Sequence, residues 1–193
     1  ISAFVDKVPF LAAMLPVAVS DADNQIGNRQ AAVTLVEYAD FQCPACAAYH
    51  PLLGQLLKEF DGRIRFVYRY LPLASIHQNA NLSAYTAQAA AKQGKFWEMH
   101  DMLYKNQSSW AESRDARDIF IGYAGTLGLD VVRFKKDIDA SDVIAVVRDQ
   151  TEVGMRSGLS STPTFFLNGQ KIINPQNYDD LRKLITQTLS QNP

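Results

Sequence analysis

The segment from Val33 to Tyr70 constrains the fold of this chain more than any other part of the sequence. Val33 to Tyr38 is apolar and β-branched, which predicts a buried strand, and Ile64 to Tyr70 alternates and predicts a second strand. Between them, apolar residues recur at helical spacing from Pro44 to about Phe60. Strand, helix and strand in this order predict a parallel crossover unit and therefore an α/β fold.

The middle of the chain carries helical signals. Ser75 to Lys92 is rich in alanine, Phe96 to Leu103 repeats apolar residues at helical spacing, and Ser113 to Leu127 predicts a third helix. Ser141 is then predicted to cap a helix that ends near Ser157. We therefore expect an all-helical subdomain inserted between the two parts of an α/β domain.

The C-terminal part of the sequence returns to the sheet. Asn168-Gly169 separates Thr164–Leu167 from Gln170–Ile173, and Asn-Gly between two β-rich runs is the strongest short hairpin signal. A final helix is predicted over Asn177–Leu189. The predicted organisation is an N-terminal extension over residues 1–26, an α/β domain over residues 27–70 and 141–193, and a helical insertion over residues 71–140.

Charge and hydropathy narrow the classes of function. With 19 basic and 20 acidic residues, the chain lacks the excess positive charge that nucleic acid or an anionic membrane would require of a partner. The apolar run Val8–Val19 contains Pro9 and Pro16 and is too short to span a bilayer. We expect it to dock on the domain surface; the alternative is the stub of a membrane anchor. Because the chain begins at Ile1, we expect a processed product from which a signal peptide or anchor was removed.

The candidate chemistry is concentrated in a pair of cysteines. Cys43 and Cys46, the two cysteines of the chain, flank Pro44-Ala45 where the first strand gives way to a helix. Free N–H groups and the helix dipole stabilise an anion there, so we expect the pKa of Cys43 below its free value of about 8.5. Cys46 lies one turn further on and should be more buried. This predicts a redox-active disulfide, with Cys43 as the attacking sulfur and Cys46 as the resolving one, and no other cofactor.

A structural zinc site is the main alternative for these residues. Cys43, Cys46 and His50 have spacings that suit a metal, but structural zinc takes four ligands and the sequence has no second cysteine pair. His77 and His100 are each isolated on helical segments. We therefore expect no metal, and we expect His50 to be a surface or packing residue.

Glu37 is a carboxylate within an otherwise apolar strand, six residues before Cys43. Buried acids are costly and usually have a partner or a task. Two interpretations stay open: the side chain points to solvent at a strand end, or it is a proton relay beneath the dithiol.

Two motifs and the insertion carry a resemblance to a known family. The run from Val36 to Cys46, the helical block and the run from Ser161 to Phe165 together resemble the DsbA-like thioredoxin family of bacterial extracytoplasmic thiol oxidases. The similarity runs from about Gly27 to about Leu189. It implies a thioredoxin fold with an inserted helical subdomain.

The resemblance also implies roles for individual residues. Cys43 matches the nucleophile of the family, Cys46 its resolving cysteine and Glu37 its buried acid. Pro163 matches a cis-proline that faces the dithiol, and Thr162 matches the residue whose backbone pairs with the substrate chain. The best known member has Pro-His between its cysteines, whereas this chain has Pro44-Ala45. Alanine offers the thiolate neither a charge nor a hydrogen bond, so we expect a milder redox potential.

The function implied by the resemblance is oxidation of dithiols in secreted or envelope proteins, in the bacterial periplasm. Re-oxidation would fall to a membrane quinone-linked thiol oxidase. A disulfide isomerase or reductase of the same fold is the alternative, and a redox-silent binding protein is another. The residues before Gly27 are too few for the separate dimerisation domain of the family's isomerases, and we expect a monomer.

Overall fold

The computed structural model describes residues 14–191. Its strands are β1 (Asn24–Gly27), β2 (Val33–Ala39), β3 (Ile64–Tyr70), β4 (Thr164–Leu167) and β5 (Gln170–Lys171). They form one five-stranded sheet in the order β1-β3-β2-β4-β5. β2 and β3 are parallel, as the crossover unit predicts, and the other neighbours are antiparallel.

The helices divide between the sheet and a separate helical layer. They are α1 (Pro44–Glu59), α2 (Ala80–Ala91), α3 (Phe96–Lys105), α4 (Gln107–Trp110), α5 (Ala116–Thr126), α6 (Val131–Ile138), α7 (Ser141–Arg156) and α8 (Tyr178–Gln191). Helices α2 to α6 are consecutive, so the predicted all-helical insertion between β3 and α7 is confirmed.

Strand alternation distributes β2 between two cores. Leu35 packs with Leu53 of α1 and Ile185 of α8 on one face of the sheet. Val36 and Tyr38 pack in a second core on the opposite face. That face receives α7, which approaches so closely that a Cβ at Gly154 would lie 3.3 Å from Tyr38 and Leu71. Because period-two alternation sends neighbouring side chains to opposite faces, Glu37 faces the α1 side with Leu35.

The helical insertion has its own apolar core, built around the alanine-rich α2. The small buried side chains of α2 allow α3, α5, α6 and α7 to pack against it. Large residues from the surrounding helices fill the space between them. These buried residues include Met99, Leu103, Trp110, Phe120 and Phe134.

The hairpin between β4 and β5 confirms the prediction from Asn168-Gly169. Both residues have positive φ, 47° and 83°, which favours asparagine and glycine. The Asn168 side chain also accepts a hydrogen bond from Thr34 N at 2.8 Å and donates one to Ala32 O at 3.1 Å. The turn therefore ties β4 to the start of β2.

Three boundaries differ from those expected. Part of the expected extension belongs to the sheet, because Asn24–Gly27 pairs with β3 and the guanidinium of Arg69 bonds Asp23 and two carbonyls of the preceding segment. Ser141 is not a cap: Ala140 is extended and its carbonyl accepts the first helical hydrogen bond. The hairpin strand ends at Lys171, before Ile173.

The apolar run Val8–Val19 lies partly outside the described residues. Within them, Leu15 N donates to Gly169 O at 2.8 Å, and Met14 forms a bridge with Gln170. No helix in residues 14–191 combines the length and the apolar character needed to cross a membrane.

Candidate active site

Cys43 lies at the junction between β2 and α1. It is the N-cap of α1, with φ −68° and ψ 121°, and Pro44 occupies the first helical turn. The cap position has no side-chain hydrogen bond to the helix, so the N–H groups of the first turn are available to the sulfur. The sequence predicted this placement, and it aims the positive end of the helix dipole at Cys43.

The loop before β4 faces Cys43. The Thr162–Pro163 peptide bond is cis, and the Cys43 thiol donates to Thr162 O at 3.4 Å. Asn174 supports the loop, because its Nδ2 donates to Pro163 O at 2.8 Å. The structure therefore brings together the cysteine and the Thr-Pro loop, which are 119 positions apart in the chain.

The surroundings of Cys43 favour its thiolate. A hydrogen bond from the Cys46 thiol lowers the pKa of Cys43 most, burial opposes it, and Thr162 and the backbone N–H groups of Ala45 and Cys46 lower it further, to about 5. The buried Thr162 hydroxyl has no other hydrogen-bond partner within residues 14–191, so it is available to a thiolate. Cys43 is therefore ionised at neutral pH when the dithiol is reduced.

Cys46 has the opposite character. It is 1% exposed, against 7% for Cys43, and burial raises its pKa well above the usual thiol value. Its hydrogen bond to Cys43 and the nearby Glu37 raise that pKa further. One helical turn thus separates an acidic sulfur from one that keeps its proton.

Glu37 is buried beneath the dithiol, so the interpretation in which it points to solvent is wrong. It is 1% exposed, and its Oε1 has no hydrogen-bond partner in the described part of the chain. In the sheet it pairs with Tyr68 and Phe165. Burial, and secondarily the charge of Cys43, raise its pKa to about 8, so it holds a proton at neutral pH and can release it.

The turn before Cys43 is held by Asp40, which sequence reasoning missed. Its buried carboxylate accepts from Gln42 N at 2.8 Å, from Leu73 N at 2.9 Å and from His77 Nδ1 at 2.7 Å. Its backbone carbonyl accepts from Cys43 N at 3.1 Å. An aspartate three residues before Cys43, between a strand and a helix, was the available signal, because such residues commonly organise turns.

Two amide side chains connect this turn to the helical insertion. Gln42 accepts from Asn79 N at 2.6 Å and donates to Ala111 O at 2.6 Å. Gln107 Nε2 donates to Phe41 O at 2.7 Å and to Cys43 O at 3.0 Å. Neither contact has a signal in the sequence, because each joins residues far apart in the chain.

The sequence predicts that His50 is a surface or packing residue and that the other two histidines are isolated. His50 is half-buried and bonds Asp101, in keeping with a packing role, whereas His77 bonds Asp40. His100 is not isolated, because it contacts the same Asp101 oxygen as His50. Helical spacing places residues on one helix and gives no information on which helices meet.

Disulfide exchange is the chemistry that this dithiol supports, and the chain falls in the class of thioredoxin-type thiol–disulfide oxidoreductases. A family model described as Thioredoxin matches residues 20–187, and the chain belongs to that family. Among solved structures, oxidised BdbD from Bacillus subtilis matches with a TM-score of 0.77 and 21% identity, over 87% of this chain and 93% of that one. Wolbachia pipientis α-DsbA1 matches with a TM-score of 0.81 and 15% identity, over 90% and 94%. These likenesses show a DsbA-like fold.

Sequence relatives have a different name. The Na(+)/H(+) antiporter NhaA 3 of Salinispora tropica is 40% identical over 168 residues, which are 87% of this chain and 25% of that protein. The chain therefore spans about a quarter of the length of the curated relatives it matches.

Proposed function

We propose that this chain is a dithiol oxidase that introduces disulfide bonds into secreted or envelope proteins outside the cytoplasm. The observation that carries the proposal is the contrast between the two sulfurs, with a pKa of about 5 for Cys43 and a raised pKa for Cys46. A stabilised Cys43 thiolate favours the reduced protein over its disulfide, and this makes the disulfide an oxidant.

The proposed reaction proceeds by two thiolate attacks. A substrate thiolate attacks Cys43 Sγ, the Cys43–Cys46 bond breaks, and Cys46 leaves as a thiolate that takes a proton. Glu37, protonated at neutral pH and buried beside Cys46, supplies that proton. The second thiolate of the substrate then attacks the substrate sulfur that is bonded to Cys43. This forms the disulfide of the substrate and releases Cys43 as a thiolate. The substrate loses two electrons to the dithiol, which a quinone-linked thiol oxidase of the membrane would re-oxidise.

Substrate binding would use the surface beside Cys43. Pro44 and Ala45 are exposed, and Thr162 is partly exposed next to the sulfur. Thr162 would pair its backbone with an extended substrate chain, while the buried Pro163 would form the base of the binding surface. The oxidase would act as a monomer.

The experiment is a redox equilibrium with glutathione, combined with oxidation of a reduced test protein. We expect the disulfide form to oxidise the test protein stoichiometrically and to be reduced by glutathione more readily than a structural disulfide. A disulfide that resists glutathione and a protein that only reduces substrates would overturn the oxidase proposal in favour of a reductase.

The antiporter relatives favour a second candidate for the substrate. Because about a quarter of each of those proteins resembles this chain at up to 40% identity, the second candidate directs the same chemistry at a membrane protein. Cys46→Ser protein, incubated with reduced secreted proteins and with membranes, separates the candidates by the partner recovered in mixed disulfides with Cys43.

A further inference from the structure

A second cluster of reactive side chains lies where α1 passes α3, outside the proposed dithiol chemistry. His50 Nε2 is 2.9 Å from Asp101 Oδ1, and His100 Nδ1 is 3.2 Å from the same oxygen. One ligand-type atom from each of the three side chains lies within 4.8 Å of the other two. The cluster borders an open cavity of about 660 Å³.

His100 is the buried member of the cluster. It is 5% exposed, and its Nε2 has no hydrogen-bond partner in residues 14–191. Aromatic rings surround it with centroids 5.0–6.0 Å from its own. These rings belong to Phe41, Tyr68, Phe96, Trp97 and Tyr104.

Without a metal ion, each protonation state of His100 has an energetically unfavourable feature. With the proton on Nδ1, the ring donates to Asp101 but buries the Nε2 lone pair without a donor. With the proton on Nε2, the Nδ1 lone pair faces the Asp101 carboxylate at 3.2 Å. The doubly protonated ring would place a full positive charge at a position that is 5% exposed.

A cation between Nδ1 and the carboxylate removes the lone-pair contact of the Nε2-protonated ring. Nδ1 and Asp101 Oδ1 then both donate electron pairs to the ion, and Nε2 carries the proton among aromatic rings.

We propose that His50, His100 and Asp101 form a binding site for a divalent transition metal ion of the zinc type. Tetrahedral zinc with bonds of about 2.0–2.2 Å places its ligand atoms about 3.3–3.6 Å apart. The distances of 2.9 and 3.2 Å to Asp101 Oδ1 are close to that spacing. Two imidazoles and one carboxylate leave a fourth position for water from the cavity.

Lys105 occupies the outer side of the site. Its Nζ is 3.2 Å from Asp101 Oδ2, and its side chain is 64% exposed. An exposed ion pair of this kind is weak, so the ammonium can move away when a cation binds. Asp101 is itself 48% exposed, which provides a path to the site from solvent.

The site joins α1 to α3 directly behind the dithiol. His50 follows Cys46 by four positions on α1, so the two side chains share a face of that helix. The zinc set suggested by spacing, which combined His50 with the cysteines, is thus replaced by one in which His50 turns to α3. The two sites can be tested separately because thiols are absent from this ligand set.

The experiment is titration of the oxidised protein with Zn²⁺, and with Co²⁺ as a spectroscopic probe. Oxidation to the disulfide removes both thiols as competing ligands. We expect one equivalent of Zn²⁺ to bind, and we expect the Co²⁺ complex to show a tetrahedral visible spectrum without thiolate charge-transfer bands. Nitrogen-15 shifts of His100 should report the Nε2–H tautomer once Zn²⁺ is bound.

The variants compare two of the proposed ligands, His50 and Asp101, with His77, the histidine outside the cluster. His50→Gln and Asp101→Asn should weaken Zn²⁺ binding by more than the ~10–100-fold that loss of an outer-shell partner costs. His77→Asn, which removes an imidazole paired with a different aspartate, should leave the affinity unchanged. Lys105→Met removes a competing cation without touching a ligand, and we expect it to tighten binding about threefold.

Several results would overturn the site. They are the absence of a saturable equivalent in the oxidised protein, an affinity unchanged by His50→Gln and Asp101→Asn, and an equal loss in His77→Asn. Circular dichroism of each variant separates loss of ligand from loss of fold, and tighter binding by Lys105→Met requires a folded protein. Because all titrations use the disulfide form, failure of this site leaves the proposed oxidase activity standing, and the reverse also holds.

Discussion

The outer and inner sides of the dithiol differ more than their separation of one helical turn suggests. On the outer side, hydrogen bonds from the Cys46 thiol, from the Thr162 side chain and from N–H groups of α1 outweigh the effect of burial and lower the pKa of Cys43 to about 5. On the inner side, Cys46 and Glu37 are 1% exposed, and both have raised pKa values. The difference comes from depth and hydrogen bonding, since both cysteines belong to the same short motif.

The two sides also respond to pH in opposite directions. Cys43 has a folded pKa of about 5, below the thiol reference of 9.0, so its contribution to the stability of the reduced protein is fully present above about pH 9. That contribution is lost as the pH falls through 5. Glu37 has a folded pKa of about 8, above the reference of 4.5, so it destabilises the folded protein progressively from pH 4.5 to pH 8.

Substituting the two cysteines one at a time tests the contrast between the two sulfurs most strongly. Cys43→Ser should reduce oxidase activity to the uncatalysed rate, because it removes the sulfur that substrates reach. Cys46→Ser should retain the first attack and accumulate mixed disulfides through Cys43. Mass mapping of adducts after incubation with a reduced substrate distinguishes the two, and adducts formed mainly through Cys46 would reverse the assignment of roles.

Replacing Glu37 should remove the pH dependence that this buried acid gives to the free energy of unfolding. Glu37→Gln should raise the free energy of unfolding by up to about 5 kcal/mol above pH 8, with little change below pH 4.5, because the amide has no charge to bury. Denaturant unfolding across this pH range provides the measurement. Glu152→Gln, at a half-exposed acid on α7 that pairs with Arg156, is the control and should change the profile by no more than the small contribution of a surface ion pair. Equal effects of the two substitutions would show that Glu37 is not ionised within the core.

A positive charge placed between the cysteines should make Cys43 more acidic. Ala45→His puts an imidazole beside the Cys43 thiolate, and we expect the Cys43 pKa to fall by about one unit. The same change should raise the redox potential by about 30 mV, because both quantities report the free energy of the thiolate. Thiolate absorbance and glutathione equilibria measure them independently. If neither quantity changes, the helix start sets the chemistry without the dipeptide.

The smallest expected effect comes from a single hydroxyl. Thr162→Val keeps the size of the side chain but removes the hydroxyl that is available to the Cys43 thiolate and lowers its pKa, so the Cys43 pKa should rise by about half a unit. Thr86→Val is the matched control, because Thr86 also has a buried hydroxyl without a partner in residues 14–191, but it lies in α2. A rise of the same size in the control would remove Thr162 from the account of thiol acidity.

The local parts of the fold were predictable from sequence because local residues determine them. The periodicity of β2, α1 and β3, and the turn chemistry of Asn168-Gly169, each depend on neighbours in the chain. β1 was not predictable in this way: Asn24 and Gln25 lack the apolar alternation of a strand, and their pairing depends on the edge that β3 offers. The start of α7 shifted by one residue because the backbone of Ala140 serves as the cap.

The candidate site likewise divides into local features, which the sequence predicts, and contacts between distant residues, which it does not. Two cysteines at a strand–helix junction were visible in the sequence, and the resemblance supplied the Thr162–Pro163 loop. Asp40 was visible only as a turn residue, and Gln42 and Gln107 were not visible, since their partners in the insertion lie 33 to 70 positions away and only the packed insertion brings them near. The same holds for His50 and His100, which meet because α1 and α3 cross.

The amide side chains that connect the active-site turn to the insertion have a consequence for local unfolding. The Gln42 side chain accepts a hydrogen bond from Asn79 N, and the Asp40 carboxylate accepts one from Leu73 N. The backbone carbonyl of Asp40 accepts a hydrogen bond from Cys43 N. A backbone amide exchanges its hydrogen with solvent only when its hydrogen bond opens. The amides of Cys43, Leu73 and Asn79 should therefore exchange at closely similar rates, as members of one cooperative unit that spans both lobes. Deuterium would then enter the catalytic turn no faster than it enters the start of α2.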